Sequence, residues 1–137
     1  MRIYMDTSAL VKLVVAEKES QSLQTFLSER ADDTLFSAAL ARTELVRAVA
    51  QNGVQAIADA RHLLSTIDTV VLNRQLLDDA GTLQPLRLRS LDAIHLTTAQ
   101  VLTNESGAVL TAFVTYDRRL LECAKAAGLP IASPGQN

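Results

Sequence analysis

The chain holds a single cysteine, Cys123, and no tryptophan, and only 4% of its 137 residues are aromatic. One cysteine rules out an internal disulfide and suits a reducing compartment such as the cytoplasm. With so few aromatic rings, the core must be built from Leu, Val, Ile and Ala, a composition that suits helices packed on a parallel sheet. No apolar run approaches the roughly 20 residues of a membrane span. Arg2 is soon followed by the polar stretch Asp6-Thr7-Ser8 rather than by a long apolar segment, so no secretory leader is expected. An excess of basic charge is also missing: 13 Lys and Arg stand against 15 Asp and Glu, for a formal net charge of −2. Nucleic acid would therefore have to be attracted by a local basic patch or by bound cations, not by the molecule as a whole. With two histidines and one cysteine, no Cys/His spacing supports a zinc site. Proline and glycine number only 3 and 5, and no repeat or linker breaks the chain, so residues 1–137 are expected to form one domain.

What is present is a hydrophobic fraction of 48%, enough for a substantial core. Short strand-like runs alternate with longer helix-like ones. Strands are expected at Arg2–Met5, Thr34–Phe36, Thr69–Leu72, Ala108–Thr115 and Ile131–Ser133. Helices are expected at Ser8–Val15, Ser20–Arg30, Ala38–Gln51, Val54–Thr66, Gln75–Thr82, Ser90–Thr103 and Arg118–Ala127. Asn52-Gly53 and Gly128 with Pro130 act as helix stops. Such alternation implies an α/β sandwich with a mainly parallel sheet. Right-handed crossovers then gather the C-terminal ends of the strands along one edge, where ligand crevices form. Asp6 follows the first strand and Asp117 follows the strand ending at Thr115, so both fall at that edge.

Each acid has an ordinary explanation. Asp6 and Asp117 suit helix N-caps. Asp92 suits the first turn of a helix that Ser90 can cap, where a carboxylate meets the positive end of the dipole. That helix is apolar nearly all round, however, and a buried charge needs a partner. His95, three residues on, offers itself as that partner, as a group behind the site, or as a simple core filler. Glu44 falls away from Leu45, Val46 and Val49 on the helical wheel, which suits a solvated glutamate. Taken jointly, four carboxylates gathered at one sheet edge repel one another unless cations neutralise them. Oxygen-only ligands select hard cations such as Mg²⁺ or Mn²⁺, and such ions can promote phosphoryl displacement.

The motifs Met5-Asp6-Thr7-Ser8-Ala9-Leu10, Thr43-Glu44-Leu45, Leu91-Asp92-Ala93-Ile94-His95-Leu96 and Val114-Thr115-Tyr116-Asp117-Arg118-Arg119-Leu120 resemble, in order and spacing, those of the PIN-domain family. Within it the chain is most similar to the VapC toxins of VapBC type II toxin–antitoxin systems. The resemblance covers nearly the whole chain. It implies a PIN-like three-layer α/β/α sandwich and an endoribonuclease dependent on Mg²⁺, with Mn²⁺ as an alternative. It assigns Asp6, Glu44, Asp92 and Asp117 to the metals, with Thr7, Ser8 and Thr115 as auxiliary groups. It implies structured RNA as substrate (transfer or ribosomal RNA), products with a 5′-phosphate and a 3′-hydroxyl, and a halt to translation. It also implies a VapB-type antitoxin, a homodimer and a toxin–antitoxin hetero-oligomer. Arg87, Arg89, Arg118 and Arg119 lie beside the acids and are expected to hold RNA, with Arg42 and Arg47 flanking Glu44. Tyr116 is the one aromatic placed to stack on a base, while His62 and Cys123 are expected to be packing or surface residues.

Other α/β sites fit less well. A phosphoryl-accepting receiver domain needs paired acids after the first strand and a late lysine, and a haloacid-dehalogenase-like phosphatase needs Asp-x-Asp. Asp6-Thr7-Ser8 provides neither. The remaining alternative is a non-catalytic PIN-like module that acts only through a protein partner.

Overall fold

A computed structural model of the chain describes residues 1–105 and 109–136. Five strands, β1 (Arg2–Met5), β2 (Thr34–Ala38), β3 (Asp68–Val70), β4 (Leu110–Val114) and β5 (Ile131–Ala132), form one sheet in the order β3-β2-β1-β4-β5. Every pairing is parallel. The chain leaves β1 for β2 on one side and later enters β4 on the other. The crevice at the C-terminal end of β1 and β4 is thus the switch point of an open α/β sheet.

Helices α1 (Thr7–Val14), α2 (Ser20–Ser28), α3 (Ala41–Val49), α4 (Val54–Thr66), α5 (Arg74–Gly81), α6 (Ser90–Asn104) and α7 (Arg118–Ala126) complete the described fold. They divide between the two faces because the strand side chains alternate. Ile3 and Met5 point to one side, where they join Leu10, Leu23, Leu45, Val49 and Leu64 of α1 to α4. Tyr4 points to the other, where it joins Leu96 and Leu102 of α6, Phe113 of β4 and Leu120 of α7. Of the four β1 side chains, Ile3, Tyr4 and Met5 are fully buried, which is why a central parallel strand reads as an apolar run. Tyr4 and Phe113 stack with ring centroids 5.1 Å apart. Three layers result, as the sequence implied.

Several boundaries differ from expectation. Ser37 and Ala38, expected at or near a helix start, belong to β2 because they pair with Thr69 and Val70 of β3. The following helix therefore begins at Ala41, and residues 50–52 tighten into a 3₁₀ turn before Gly53, whose φ of 105° starts α4 with no Cβ penalty. The strand β3 lies at residues 68–70, ahead of the expected 69–72. The expected start of β4 at residue 108 falls outside the described residues. Among the described residues, no helix is long and apolar enough to cross a membrane.

α3 carries Glu44 and is fastened to the sheet by Leu45 and Val49, both fully buried. Replacing Leu45 with Ala removes a buried isobutyl group and leaves a cavity, at a cost of about 2–5 kcal/mol. Urea denaturation should show that loss as a lower midpoint with an unchanged slope.

Candidate active site

Asp6 ends β1 and caps α1. One of its oxygens, Oδ2, accepts the Ser8 hydroxyl at 2.7 Å and the Thr115 hydroxyl at 2.8 Å, with the Ser8 backbone N–H more distant at 3.4 Å. The Ser8 hydroxyl in turn accepts the Tyr116 N–H at 2.9 Å, and Thr115 Oγ1 accepts the Asp117 N–H at 3.1 Å. The expected cap is real, but the hydroxyls do most of the holding. They tie the end of β1 to the end of β4. The second oxygen, Oδ1, faces the crevice, 3.5 Å from His95 Nε2.

Glu44 is not the free surface glutamate that its own helix suggests. Its Oε1 receives the Thr7 hydroxyl at 2.8 Å and lies 2.6 Å from His95 Nε2. His95 sits on α6, is almost fully buried, and has its other nitrogen, Nδ1, 2.7 Å from the Tyr4 hydroxyl. That hydroxyl also accepts the Ala38 N–H at 3.1 Å. A chain of polar groups thus runs from β2 through β1 and α6 to Glu44. Burial draws the imidazole pKa down, but the Glu44 hydrogen bond and the charges of Asp6, Glu44 and Asp92 outweigh it and raise the net value. For Glu44 burial pushes upward, and the His95 and Thr7 contacts overcome it, so the carboxyl lies below its ordinary value. His95 is therefore neither a simple filler nor a direct partner of Asp92. It sits behind Glu44.

Asp92 and Asp117 meet at the other side of the crevice. Asp117 caps α7 through Oδ1, which accepts the backbone N–H groups of Arg119 and Leu120 at 2.9 and 3.3 Å. Its Oδ2 points instead to Arg89, at 3.5 Å from a guanidinium nitrogen. The same guanidinium lies 3.6 Å from Asp92 Oδ2. Burial first, then the charges of Asp117 and Asp6, raise the Asp92 pKa. Asp92 thus feels acids from two other elements, and contacts through His95 and Arg89 link all four candidate carboxylates.

The PIN domain family profile matches residues 3–126. The chain belongs to the PIN domain family. It is 43% identical over 136 residues to Ribonuclease VapC47 of Mycobacterium tuberculosis, with 97% of each chain covered. It is 42% identical to Ribonuclease VapC46 of the same organism, over 96% of this chain and 97% of the relative. Ribonuclease VapC35, also from that organism, is 41% identical over 98% of both chains.

The acids of this PIN domain fit a hard divalent cation by their chemistry. The donor set is oxygen alone, and Asp6 and Asp117 each commit one carboxylate oxygen to the scaffold and leave the other facing His95 and Arg89 respectively. The Arg89 guanidinium already stands between Asp92 and Asp117 as a positive charge. Burial first and then the charges of Asp117 and Asp6 raise the Asp92 pKa, and a cation would relieve the part that those charges cause. Among the described residues, no group of three or more His, Cys, Asp or Glu side chains is closed into metal-holding geometry.

The other expected residues fall into two groups. Arg87, Arg89 and Arg119 lie along one cavity beside Asp92, while Arg118 is exposed at the start of α7. Arg42 and Arg47 are exposed on α3. Tyr116 is not open on all sides: Lys12 lies 4.7 Å from its ring centroid and its hydroxyl donates to the Pro134 carbonyl at 2.7 Å. His62 is exposed on α4, and Cys123 is half-buried against the α6–α7 core.

A titration checks the His95 geometry in the cation-free PIN domain. The folded imidazole pKa is raised above its ordinary 6.5. Its contribution to stability is therefore complete below that value and fades as pH rises through the folded one. Urea unfolding in chelator should show the stability gap between wild type and His95→Gln narrowing over that window. A gap independent of pH would contradict the arrangement.

Proposed function

We propose that this protein is a PIN-domain ribonuclease toxin that cuts structured RNA, with transfer or ribosomal RNA as target, and so stops translation. The observation that supports the reading is the set of contacts through His95 and Arg89 that links Asp6, Glu44, Asp92 and Asp117 in a chain belonging to this family. The curated relatives are named as ribonucleases. In this reading the four acids hold divalent cations, Mg²⁺ in the cell or Mn²⁺ in its place. Bound there, the cation supplies a nucleophilic water at neutral pH and offsets charge on the phosphate oxygens.

The protein's own groups do the rest. Ser8 and Thr115 fix Asp6, so its Oδ1 stays directed at the crevice. His95 and Thr7 fix Glu44 through one oxygen, and Tyr4 fixes His95. Arg87, Arg89, Arg118 and Arg119 draw the phosphate backbone toward a centre that would otherwise repel it. A water oxygen bonds to phosphorus, the bond to the 3′-oxygen breaks, and a proton reaches that departing oxygen. The products carry a 5′-phosphate and a 3′-hydroxyl.

The 137 residues act as one domain in the cytoplasm. A VapB-type antitoxin neutralises the toxin by covering the crevice, within a hetero-oligomer built on a toxin homodimer.

The test is cleavage of total cellular RNA by antitoxin-free protein with Mg²⁺, with Mn²⁺ and with chelator. Discrete fragments should form only with a metal. Asp6→Asn, Glu44→Gln, Asp92→Asn and Asp117→Asn should each abolish them. Thr115→Val, which removes a group behind Asp6, should lower the rate about 10–100-fold. Folded, metal-loaded protein that leaves all RNA intact, yet binds its antitoxin, would favour the non-catalytic partner-binding module.

A further inference from the structure

A cavity of about 630 Å³ opens beside Asp92, between the loop before α6 and the outer face of α7. Its volume is in the range of small-ligand sites, about 300–1,000 Å³. The lining divides by chemistry. Leu88 and Cys123, half-buried and packed against the α6–α7 core, form an apolar wall with Ala126. Arg87, Arg89 and Arg119, all exposed, supply three cationic groups against the two carboxylates of the lining, Asp92 and Glu122. Arg89 belongs to both places, since its guanidinium also bridges Asp92 and Asp117. Arg87 and Arg119 take part in no ion pair among the described residues, so their charge is available to a ligand.

A cavity of this volume with an apolar wall and guanidinium groups free of ion pairs along it has the chemistry of a nucleotide site. A base there would meet aliphatic carbon and sulfur, a guanidinium plane can stack on its face, and the phosphate would meet positive charge. The position of the slot decides which nucleotide. Asp92 lines it and also belongs to the acid crevice, so a strand whose phosphate lies at the acids can place its next nucleotide here without a gap.

We propose that the Arg87–Arg119–Cys123 cavity is a subsite for one unpaired nucleotide of the RNA strand, the one adjoining the phosphate held at the acids. This rests on the ribonuclease reading for its substrate, but the cavity can be tested without any cleavage. It accounts for how a chain with so few aromatic residues grips a base. Recognition of an extruded nucleotide also restricts the enzyme to loops and unpaired ends, because a base inside a duplex cannot reach the slot.

The test uses Cys123, the only cysteine in the sequence, as a reporter inside the cavity. Its alkylation by iodoacetamide is followed in chelator, with ribonucleoside 5′-monophosphates, ribose 5-phosphate or inorganic phosphate as probes. A nucleotide at about ten times its dissociation constant should slow alkylation about tenfold. Ribose 5-phosphate and phosphate, which have no base to cover the sulfur, should leave the rate near that of free protein. The exposed pair Arg87→Gln and Arg119→Gln should remove the protection while leaving the thermal midpoint unchanged. Equal protection by phosphate would reduce the cavity to an anion site and overturn the proposal. Absence of protection by any nucleotide, or protection retained in the double variant, would also overturn it. RNA cleavage without protection defeats the subsite and leaves the ribonuclease reading intact. Protection in a protein inert toward RNA defeats that reading and leaves the subsite standing.

Discussion

Carboxylates brought together repel, and the surroundings of the crevice answer that repulsion. Asp6 is met by two hydroxyls at one oxygen, Glu44 by an imidazole and a hydroxyl, Asp117 by two backbone N–H groups, and Asp92 by a guanidinium. These contacts do more than lower the energy of four separate charges. Each fixes the direction of its carboxylate, and at Asp6 and Asp117 the contacts divide the labour between the two oxygens. The cost of gathering the acids is thus offset by donors from elsewhere in the fold. His95 shows the limits of that support: its pKa is raised because burial, which opposes its charge, is outweighed by the acids around it.

The sheet makes the gathering possible. With β1 central and β2 and β4 on its flanks, the loops leaving β1 and β4 and the first turns of α3 and α6 all open toward one crevice. Parallel pairing is required for this, because antiparallel neighbours would send alternate strand ends to opposite edges. The buried apolar side chains of β1 and the hydroxyls at Ser8 and Thr115 serve the same end, since both keep the ends of β1 and β4 in register.

Much of this was readable in the chain. A strand ending in Asp6, another ending just before Asp117 and an apolar-all-round helix carrying Asp92 already implied a parallel sheet with acids at one edge. Helix limits were less legible at residues 37–40, because β2 is extended by its partner β3 and not by its own residues. Glu44 looked solvated because a helical wheel counts only the aliphatic neighbours on its own helix. The polar groups that hold it come from Thr7 and His95, far away in sequence. A signal did exist for His95: an imidazole buried on the same helix as an acid needs partners at both nitrogens. Tyr4 was hidden as one of them because it reads as an ordinary strand aromatic. Tyr116, expected as a stacking platform, is taken up by Lys12 and Pro134.

The strand order also carries a consequence in time. The central strand β1 is made before both of its neighbours, β2 and β4, and β4 follows only after four helices, β2 and β3 and two further helices. On the ribosome, Asp6 and Glu44 emerge long before Asp92 and Asp117, and the hydroxyl that steadies Asp6 arrives with Thr115. The sheet cannot close on its middle strand until β4 has been made, and contacts this remote in sequence, 109 residues apart for Asp6 and Thr115, form slowly. A shorter N-terminal stretch would carry Asp6 and Glu44 without Asp117 or the Thr115 hydroxyl, so the crevice comes into being only once β4 has joined β1.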